Sequence, residues 1–518
     1  MTEQKIGNAI RSLFWGVFAK IATFVFPFIV KSVIIQIFSV EYNGLESLFS
    51  SIFQILNFSE LGIGSALLFV MYRPIAEHNI EKVNYILAFY KRCYRWIGSV
   101  ILIAGLLLMP ALTHLVKGDV PYGINIYILY VLNLGNTVSS YFLFAYKKSI
   151  LYADQRTDVL NIIDFVLTII QHVTRIIILL VFKNYYLYFA VAPVITLLNN
   201  IYTSYIAKKM YPEYFPYGNM PKEDLKIIKS KVIGLFAKNI GNVVMNSVDG
   251  IIISSFLGLV ILGKYNYYYY IASSLVGLLG AVSITFRSIV GNCIVTKSKN
   301  DNYLMFNRIK LVYFWIICWS TICLLILYQP FIELWVGKSN QLSIVVAILM
   351  SAYFFCWKIG EVIGVYQEGA GLWWEGKFVP LCSSLINLLS NIILVQYLGI
   401  VGVILSTIIA YIFINIPFGG YIVFKYYFAD LQKLKKYIFD IVKCFIITTG
   451  IGGLSLSIFS NIEFQTVYIS FLFRTLYCVI VPNAVLFFLN RRKDEFLWIR
   501  DILSAKLCTN SIRNMKGK

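Results

Sequence analysis

Apolar runs of roughly 20 residues recur along the whole 518-residue chain. A helix of that length crosses the ~30 Å hydrocarbon core of a bilayer. The pattern therefore predicts an all-α, polytopic membrane protein with about 14 transmembrane helices. The predicted spans are approximately 10–37, 44–71, 96–115, 122–146, 159–182, 185–207, 232–257, 264–291, 311–332, 342–366, 378–397, 400–424, 438–459 and 467–489.

Basic residues are concentrated in alternate loops. Of the 45 Lys and Arg residues, 33 lie in the segments 1–11, 72–95, 147–158, 208–231, 292–310, 368–378, 425–437 and 490–518. The loops between them hold only Lys117, Lys183, Lys264 and Lys338. The positive-inside rule therefore predicts that both termini are cytoplasmic. Most of the net charge of +20 then reflects topology and contact with anionic lipid, and no nucleic-acid partner is expected.

Composition and motifs narrow the function further. At 59% apolar and 14% charged, the chain departs from soluble proteins, which carry about 25% charged residues. The nine Cys form no CxxC pair, and no HExxH or GxSxG motif is present, so we expect no metal, no cofactor and no catalytic residue. The run YNYYYY (265–270) is interpreted as an aromatic belt at the outer interface, with a sugar-stacking surface as the alternative.

The chain also shows a weak internal repeat. Residues 11–211 and 230–430 match in span length, loop length and loop side, and at a spacing of 219 residues Gly44 coincides with Gly263. Because six helices is an even number, both copies enter the membrane from the same side, which makes the repeat parallel. The predicted organisation is a six-helix lobe (1–211), a cytoplasmic linker (212–231), a second six-helix lobe (232–430), two extra helices (431–489) and a basic tail (490–518).

Ionisable residues inside the predicted spans are the candidate functional groups, because charges in hydrocarbon are costly and usually face an interior cavity. Three polar stripes at helical spacing support such a cavity. They contain Lys20, Thr23 and Lys31 in the first span, Asp164, Thr168, Gln171 and Arg175 in the fifth, and Lys238, Asn242, Asn246 and Asp249 in the seventh. Lys358 and Glu361 share a face of the tenth span. Alternatively, these residues have structural roles. The lysine side chains would then extend to the membrane–water interface, and Asp164 and Arg175 would form bridges between helices.

Cations exceed anions among these deep groups. We predict a cationic substrate-binding cavity formed by Lys20, Lys31, Arg175, Lys238, Arg287 and Lys358. Such a cavity suits an anionic headgroup such as a diphosphate. The acids Glu60, Asp164, Asp249 and Glu361 either pair structurally with these cations or bind a coupling H⁺ or Na⁺. The sequence does not choose between these roles.

Several strings resemble the polysaccharide-transporter branch of the multidrug/oligosaccharidyl-lipid/polysaccharide (MOP) superfamily, the Wzx-type flippases of O-antigen and capsule assembly. The strings are IRSLFWGVFAKI, VEYNGLESLFSSI, FSELGIGSALLFVMYRPIA and GKYNYYYYIASSLVGLL. The resemblance implies two six-helix lobes in a bacterial cytoplasmic membrane. It further implies alternating access that carries an undecaprenyl-diphosphate-linked oligosaccharide to the outer leaflet. Membrane lipids, a polysaccharide polymerase and other assembly proteins are the implied partners.

Two other functions stay open at this stage. One is a drug antiporter of the same superfamily coupled to H⁺ or Na⁺, which the excess of deep cations disfavours. The other is an integral-membrane polysaccharide polymerase or ligase, which would be an enzyme and is expected to carry a large outer loop. The predicted outer loops here are short. A non-enzymatic flippase is therefore the preferred hypothesis.

Overall fold

The computed structural model describes residues 3–57, 62–118 and 120–501, except for the side chains of residues 3–10, 13, 227, 230, 231, 233–235, 237 and 238. Every regular element in this part of the chain is helical. Contacts divide the chain into two compact units, residues 1–266 with 388–403 and residues 267–387 with 404–518. The predicted lobes 1–211 and 232–430, and their relation by a repeat, stay predictions.

The first nine helices belong to the first unit. They are α1 (Glu3–Ile37), α2 (Val40–Leu56), α3 (Ile63–Ala76), α4 (Ile80–Leu108), α5 (Ile126–Phe142), α6 (Lys148–Ala153), α7 (Thr157–Ile177), α8 (Tyr185–Met210) and α9 (Lys222–Leu257). The remaining helices are α10 (Leu259–Thr296), α11 (Lys299–Val336), α12 (Ile344–Ile359), α13 (Glu361–Gly369), α14 (Trp373–Gly376), α15 (Phe378–Leu398), α16 (Ile400–Ala410), α17 (Ile416–Ile422), α18 (Leu431–Ser460) and α19 (Val467–Asn490). Helices α10, α15 and α16 each contribute residues to both units.

Within the described residues, twelve helical stretches are long and apolar enough to cross a membrane. A thirteenth is a bent pair, Ile126–Phe142 with Ala145–Ala153, at 48° to one another. These findings confirm the all-α, polytopic fold class. The predicted span 44–71 is not one helix, however, because α2 ends at Leu56 and α3 begins at Ile63. Gly62 between them has a φ of 100°, a left-handed conformation that glycine adopts without steric cost and that interrupts a helix.

Several helices extend beyond their apolar segments, because capping rather than hydropathy sets where they begin. Asn79 accepts a hydrogen bond from the backbone N–H of Lys82, so α4 begins 16 residues before the predicted span at 96. Ser298 likewise accepts from the backbone N–H of Asp301 at the start of α11. Such side chains satisfy N–H groups that have no partner inside the helix. Polar segments predicted as loops are therefore partly helical.

The tyrosine run 265–270 lies mainly in the interior. Tyr265 is 5% exposed, and Tyr267 and Tyr268 are fully buried. This burial contradicts an aromatic belt and a sugar-stacking surface for these three rings, whereas Tyr269 and Tyr270 are half-buried. Large side chains at the beginning of α10 pack in the core because this helix is covered by its neighbours, which periodicity within the run does not reveal.

In the first unit, α2 and the beginning of α10 approach closely through two glycines. A Cβ on Gly44 would lie 2.1 Å from the carbonyl oxygen of Leu259, and one on Gly263 would lie 2.3 Å from that of Val40. Small residues permit this approach between membrane helices. In addition, the amide of Asn43 donates to the carbonyl oxygen of Gly263 at 2.8 Å. The two glycines that coincide in the sequence repeat are thus packed at one crossing.

The close approach predicts that a Gly→Ala substitution at this crossing and one in α5 differ in their effect on stability. Gly44→Ala should lower the free energy of unfolding by about 1–3 kcal/mol, because the new methyl group meets backbone that must move. Gly135→Ala, in α5, has open space around the new Cβ and should be neutral or stabilising by up to ~1 kcal/mol. Unfolding in mixed micelles with increasing SDS measures both. Equal stability of the two variants would contradict the close approach.

Candidate functional site

The first unit encloses a cavity of about 940 Å³. We call it the polar cavity, because most of its lining side chains carry hydroxyl or amide groups. These polar side chains are Thr23, Gln54, Asn57, Ser65, Tyr90, Tyr94, Ser140, Tyr141, Lys148, Ser149, Tyr152, Asp164, Thr168, Gln171, Thr196, Asn199, Asn200 and Asn239. Among the described lining residues, Lys148 is the cation and Asp164 the anion. The lining is therefore neutral overall and rich in both donors and acceptors.

Helix α7 supplies one wall of the polar cavity. Its residues Asp164, Thr168 and Gln171 follow at intervals of four and three, so they share one face. This part of the predicted stripe does line a cavity. Arg175 continues the same stripe in sequence but is outside the described lining, because it lies one turn nearer the end of α7.

The carboxylate of Asp164 is held in place from α8. The amide of Asn199 donates to its Oδ1 atom at 2.9 Å, and the hydroxyl of Thr203 lies 3.3 Å from the Oδ1 atom of Asn199. Lys148, on α6, is close enough for its charge to be attracted by Asp164. The two opposite charges of the cavity therefore offset each other, and the acid is oriented by an amide.

Aromatic residues form another part of the wall. The rings of Tyr94 and Tyr141 meet edge to face with centroids 5.4 Å apart. The hydroxyl of Tyr141 donates to the Oδ1 atom of Asn57 at 3.2 Å, and those of Tyr90 and Tyr94 lie 3.1 Å apart. Such rings offer a rigid apolar face with a hydrogen-bonding edge, a combination that suits ligands with both C–H and O–H groups.

Lys31 lies outside this cavity, near the end of α1. It is buried, and its Nζ atom donates to the Oδ1 atoms of Asn43 at 2.5 Å and Asn266 at 2.8 Å. Two amide oxygens thus solvate the ammonium group in place of water, which makes its burial tolerable. In the structure this predicted binding residue fastens α1 to α2 and to the beginning of α10.

Arg175 lies near the same end of the first unit. Its guanidinium carbon is 4.6 Å from the ring centroid of Tyr188, and the hydroxyl of Tyr188 donates to Glu46 at 2.9 Å. The Nε atom of Arg175 and the Nδ1 atom of His172 are buried without a hydrogen-bond partner among the described residues. Glu46 was missed by the sequence reasoning, although an acid inside the predicted span 44–71 was a signal available for it.

In the second unit, the two predicted cations are each paired with an acid. Arg287 contacts Glu368, with Nε 2.9 Å from Oε2. Lys358 contacts Glu361, with Nζ 2.5 Å from Oε2. Glu361 also accepts from the hydroxyl of Ser283 at 2.7 Å. Glu361 therefore contacts both Lys358 and Ser283, and its role as structural pair or ion-coupling group stays a prediction.

Four predicted residues remain: Lys20, Asp249, Lys238 and Glu60. Lys20 is exposed on α1. Asp249 is buried, and its Oδ1 atom accepts from the amide of Asn391 at 2.8 Å. Lys238 lies in α9, but its side chain is outside the described residues, as is the whole of Glu60. Within the first unit, Lys20, Lys31 and Arg175 are not among the described residues that line the polar cavity.

The sequence and the fold of the chain were compared with those of known proteins. No family model matches the chain, and no curated protein matches its sequence. The structure is similar to that of the lipid II flippase MurJ in an inward closed conformation, with 18% identity and a TM-score of 0.65 over 94% of this chain and 99% of that one. It is also similar to an inward-facing multidrug resistance MATE family transporter of the MOP superfamily, with 14% identity and a TM-score of 0.60 over 83% of this chain and 99% of that one.

A third similar structure is a MOP superfamily transporter from Pyrococcus furiosus, with 13% identity and a TM-score of 0.53 over 83% of this chain and 96% of that one. At these identities the likeness concerns the fold, and the substrates of these proteins are their own. All three are membrane transporters with nearly their full length aligned. The chain is a multi-pass membrane protein with the fold of MOP superfamily transporters.

Proposed function

We propose that the protein is a flippase that moves undecaprenyl-diphosphate-linked oligosaccharide units across the bacterial cytoplasmic membrane for O-antigen or capsule synthesis. The lipid tail stays in the bilayer while the headgroup crosses by alternating access. Catalysis is not required, because no covalent bond is formed or broken. One of the similar structures is that of a lipid II flippase, and the Wzx-type resemblance points to the same class of substrate.

The observation that carries the proposal is the lining of the polar cavity. An unsatisfied sugar hydroxyl in hydrocarbon costs about 4–8 kcal/mol, so a glycan crosses only where the protein supplies hydrogen bonds. The cavity supplies amides from Gln171 and Asn199 and hydroxyls from Thr168 and Thr196. Its volume of about 940 Å³ is at the upper end of the ~300–1,000 Å³ typical of ligand pockets, which suits a glycan of several sugars.

The position of the cavity agrees with loading from the cytoplasm. Its lining includes Tyr90 and Tyr94, in the part of α4 that precedes the predicted span at 96, and Lys148 on α6. These residues lie in or next to the basic segments 72–95 and 147–158, which the positive-inside rule assigns to the cytoplasm. The cavity thus lies toward the side on which lipid-linked units are assembled in this proposal.

The diphosphate contacts differ from the six-cation set predicted from the sequence. Arg287 and Lys358 are engaged by acids, so we propose that neither is a principal contact. We propose Lys148 as the principal diphosphate contact instead, since it lies in the cavity that would hold the adjoining sugars. Lys20, Lys31, Arg175 and Lys238 stay proposed contacts. Coupling to H⁺ or Na⁺ through Asp164 or Asp249 also stays a proposal.

A drug antiporter coupled to a cation is the second candidate. The orientation of Asp164 into the cavity and the similarity to a MATE transporter favour it. The positive charge of Lys148 offsets the negative charge of Asp164, which weighs against this candidate. A cationic drug is attracted most strongly by an acid that has no cation nearby. Transport assays with both substrate classes separate the two functions.

The proposal predicts an accumulating intermediate in cells. Removal of the protein should leave lipid-linked oligosaccharide in the cytoplasmic leaflet, and the native protein should restore its movement. Lys148→Ala should lower translocation by about tenfold, the loss expected for a charge-assisted contact to phosphate. Lys147→Ala is the matched control, because Lys147 is adjacent but its charge lies over the ring of Phe144, outside the cavity lining.

Glycosidase-accessible or lectin-labelled glycan at the outer surface measures the outcome. Normal outer-leaflet glycan without the protein would contradict the proposal. Export of cationic drugs that requires the protein, with no effect on lipid-linked glycan, would establish the antiporter instead.

A further inference from the structure

A second cavity of about 240 Å³ lies in the second unit, between α11, α18 and α19. Its walls come from one end of this helix group: Asn307 and Lys310 from the first third of α11, Lys436 and Lys443 from the first half of α18, and Lys493 just after α19. We call it the basic pocket. It is distinct from the polar cavity, which lies in the first unit.

The charge of the basic pocket is not balanced. Its lining holds four lysines and two acids, Asp440 and Glu495. One acid is already engaged, because the Nζ atom of Lys310 donates to Asp440 and to Asn307. Among the described residues, Lys436, Lys443 and Lys493 have no carboxylate within ion-pair distance. With Lys310 and Asp440 paired, three lysines and one acid remain in the lining, which leaves a net attraction for an anion.

The rest of the pocket is apolar and continues toward the middle of the helices. Leu311, Phe314 and Cys318 follow at intervals of three and four on α11, and Cys444 and Ile447 are three residues apart on α18. The pocket is therefore basic at the helix-end side and apolar further along. This order matches a lipid, whose phosphate lies at the interface and whose chain lies in hydrocarbon. A soluble phosphate would have no use for the apolar part.

We propose that the basic pocket binds an anionic membrane lipid, with its phosphate against Lys436, Lys443 and Lys493 and the first methylenes of its chain against the apolar residues. Basic pockets between membrane helices on the cytoplasmic side are suited to anionic headgroups. The bound lipid links α18 and α19 to α11. The site goes beyond the proposed transport function, since it involves neither the polar cavity nor the transported glycan.

The test uses the full-length protein, purified in a neutral detergent and incubated with phosphatidylglycerol, phosphatidylcholine or inorganic pyrophosphate. Native mass spectrometry counts retained molecules, and thermal unfolding reports stabilisation. We expect retained phosphatidylglycerol that phosphatidylcholine does not replace, and a rise in Tm with phosphatidylglycerol. The variant Lys436→Ala/Lys443→Ala/Lys493→Ala should reduce that retention by about tenfold or more.

A matched control removes the same charge elsewhere at this end of the unit. Lys425→Ala/Lys435→Ala/Arg492→Ala changes exposed residues that do not line the pocket, and it should retain phosphatidylglycerol. Replacing the three pocket lysines with arginine should also preserve binding. If the alanine variant is not recovered folded, the test compares phosphatidylglycerol retention by two single variants on α18, Lys443→Ala in the pocket and Lys435→Ala outside it.

Three results would overturn the proposal. The first is equal lipid retention by the pocket variant and its control. The second is equal retention of phosphatidylcholine and phosphatidylglycerol by the native protein. The third is stabilisation by pyrophosphate alone, which would assign the pocket to a soluble phosphate. Because none of these measurements involves transport, they leave the proposed flippase function unaffected.

Discussion

Thr168→Trp should lower translocation of lipid-linked oligosaccharide by about tenfold or more, because the indole fills space that the glycan would occupy and removes a hydroxyl from the wall. Ile170→Trp is the control. It introduces the same side chain two residues further along α7, where Ile170 is 44% exposed and outside the cavity lining. Two residues on a helix point about 160° apart, so the two variants affect opposite faces.

The measurement is movement of fluorescent lipid-linked oligosaccharide in proteoliposomes, with protein content and unfolding temperature determined for each variant. A loss of transport in Thr168→Trp with normal stability would place the glycan in the polar cavity. Native-like rates in both variants would remove the polar cavity from the transport route, whatever the transported substrate. Equal loss in both would indicate damage to α7 rather than blockage.

Lys358→Met should lower the free energy of unfolding by about 3–5 kcal/mol, the usual cost of removing one partner from a buried ion pair. Lys358 and Glu361 are 8% and 18% exposed, so the remaining carboxylate would be shielded from water. Its hydrogen bond from Ser283, which in turn accepts one from Tyr313 at 2.9 Å, cannot replace the lost cation. Methionine retains the length of lysine, so little packing is lost.

The double variant Lys358→Met/Glu361→Gln is the control for this prediction. Because it removes both charges, its stability should return to within about 1–2 kcal/mol of the native value. Denaturation in mixed micelles is measured for four proteins: the native protein, Lys358→Met, Glu361→Gln and the double variant. Additive effects of the two substitutions would show that the pair does not interact. Transport that survives in the double variant would support a structural role for Lys358, in place of the substrate contact predicted from the sequence.

Most of the fold was predictable because membrane insertion depends on properties that are local in sequence. A helix must satisfy its own backbone in hydrocarbon, so an apolar run such as 467–489 predicts α19 almost to the residue. The predicted span 44–71 was not predicted as two helices. In the structure α3 begins directly after a left-handed glycine at position 62, and hydropathy does not report backbone conformation. Helix starts at Asn79 and Ser298 depend on capping in the same way.

The site was predictable only in part. Spacing along α7 correctly placed Asp164, Thr168 and Gln171 on one face, and the structure shows that they line a cavity. It did not reveal Asn199, because that residue becomes a partner of Asp164 only when α8 packs beside α7. Lys148 was assigned to a loop by its position in a basic segment, although α6 carries it into the cavity wall.

By itself the sequence determined that the chain is helical and crosses the membrane many times, since these properties follow from the hydropathy of each segment. It also predicted an orientation through the positions of 33 basic residues. The tertiary structure decided which charges are engaged and which face open space. Lys358 meets Glu361 within one helical turn and Lys31 meets Asn266 across 235 residues, and both side chains are thereby buried among partners. The sequence gives the sign of each charge. Whether a charge is neutralised depends on helix packing, because packing brings together residues that are far apart in the chain.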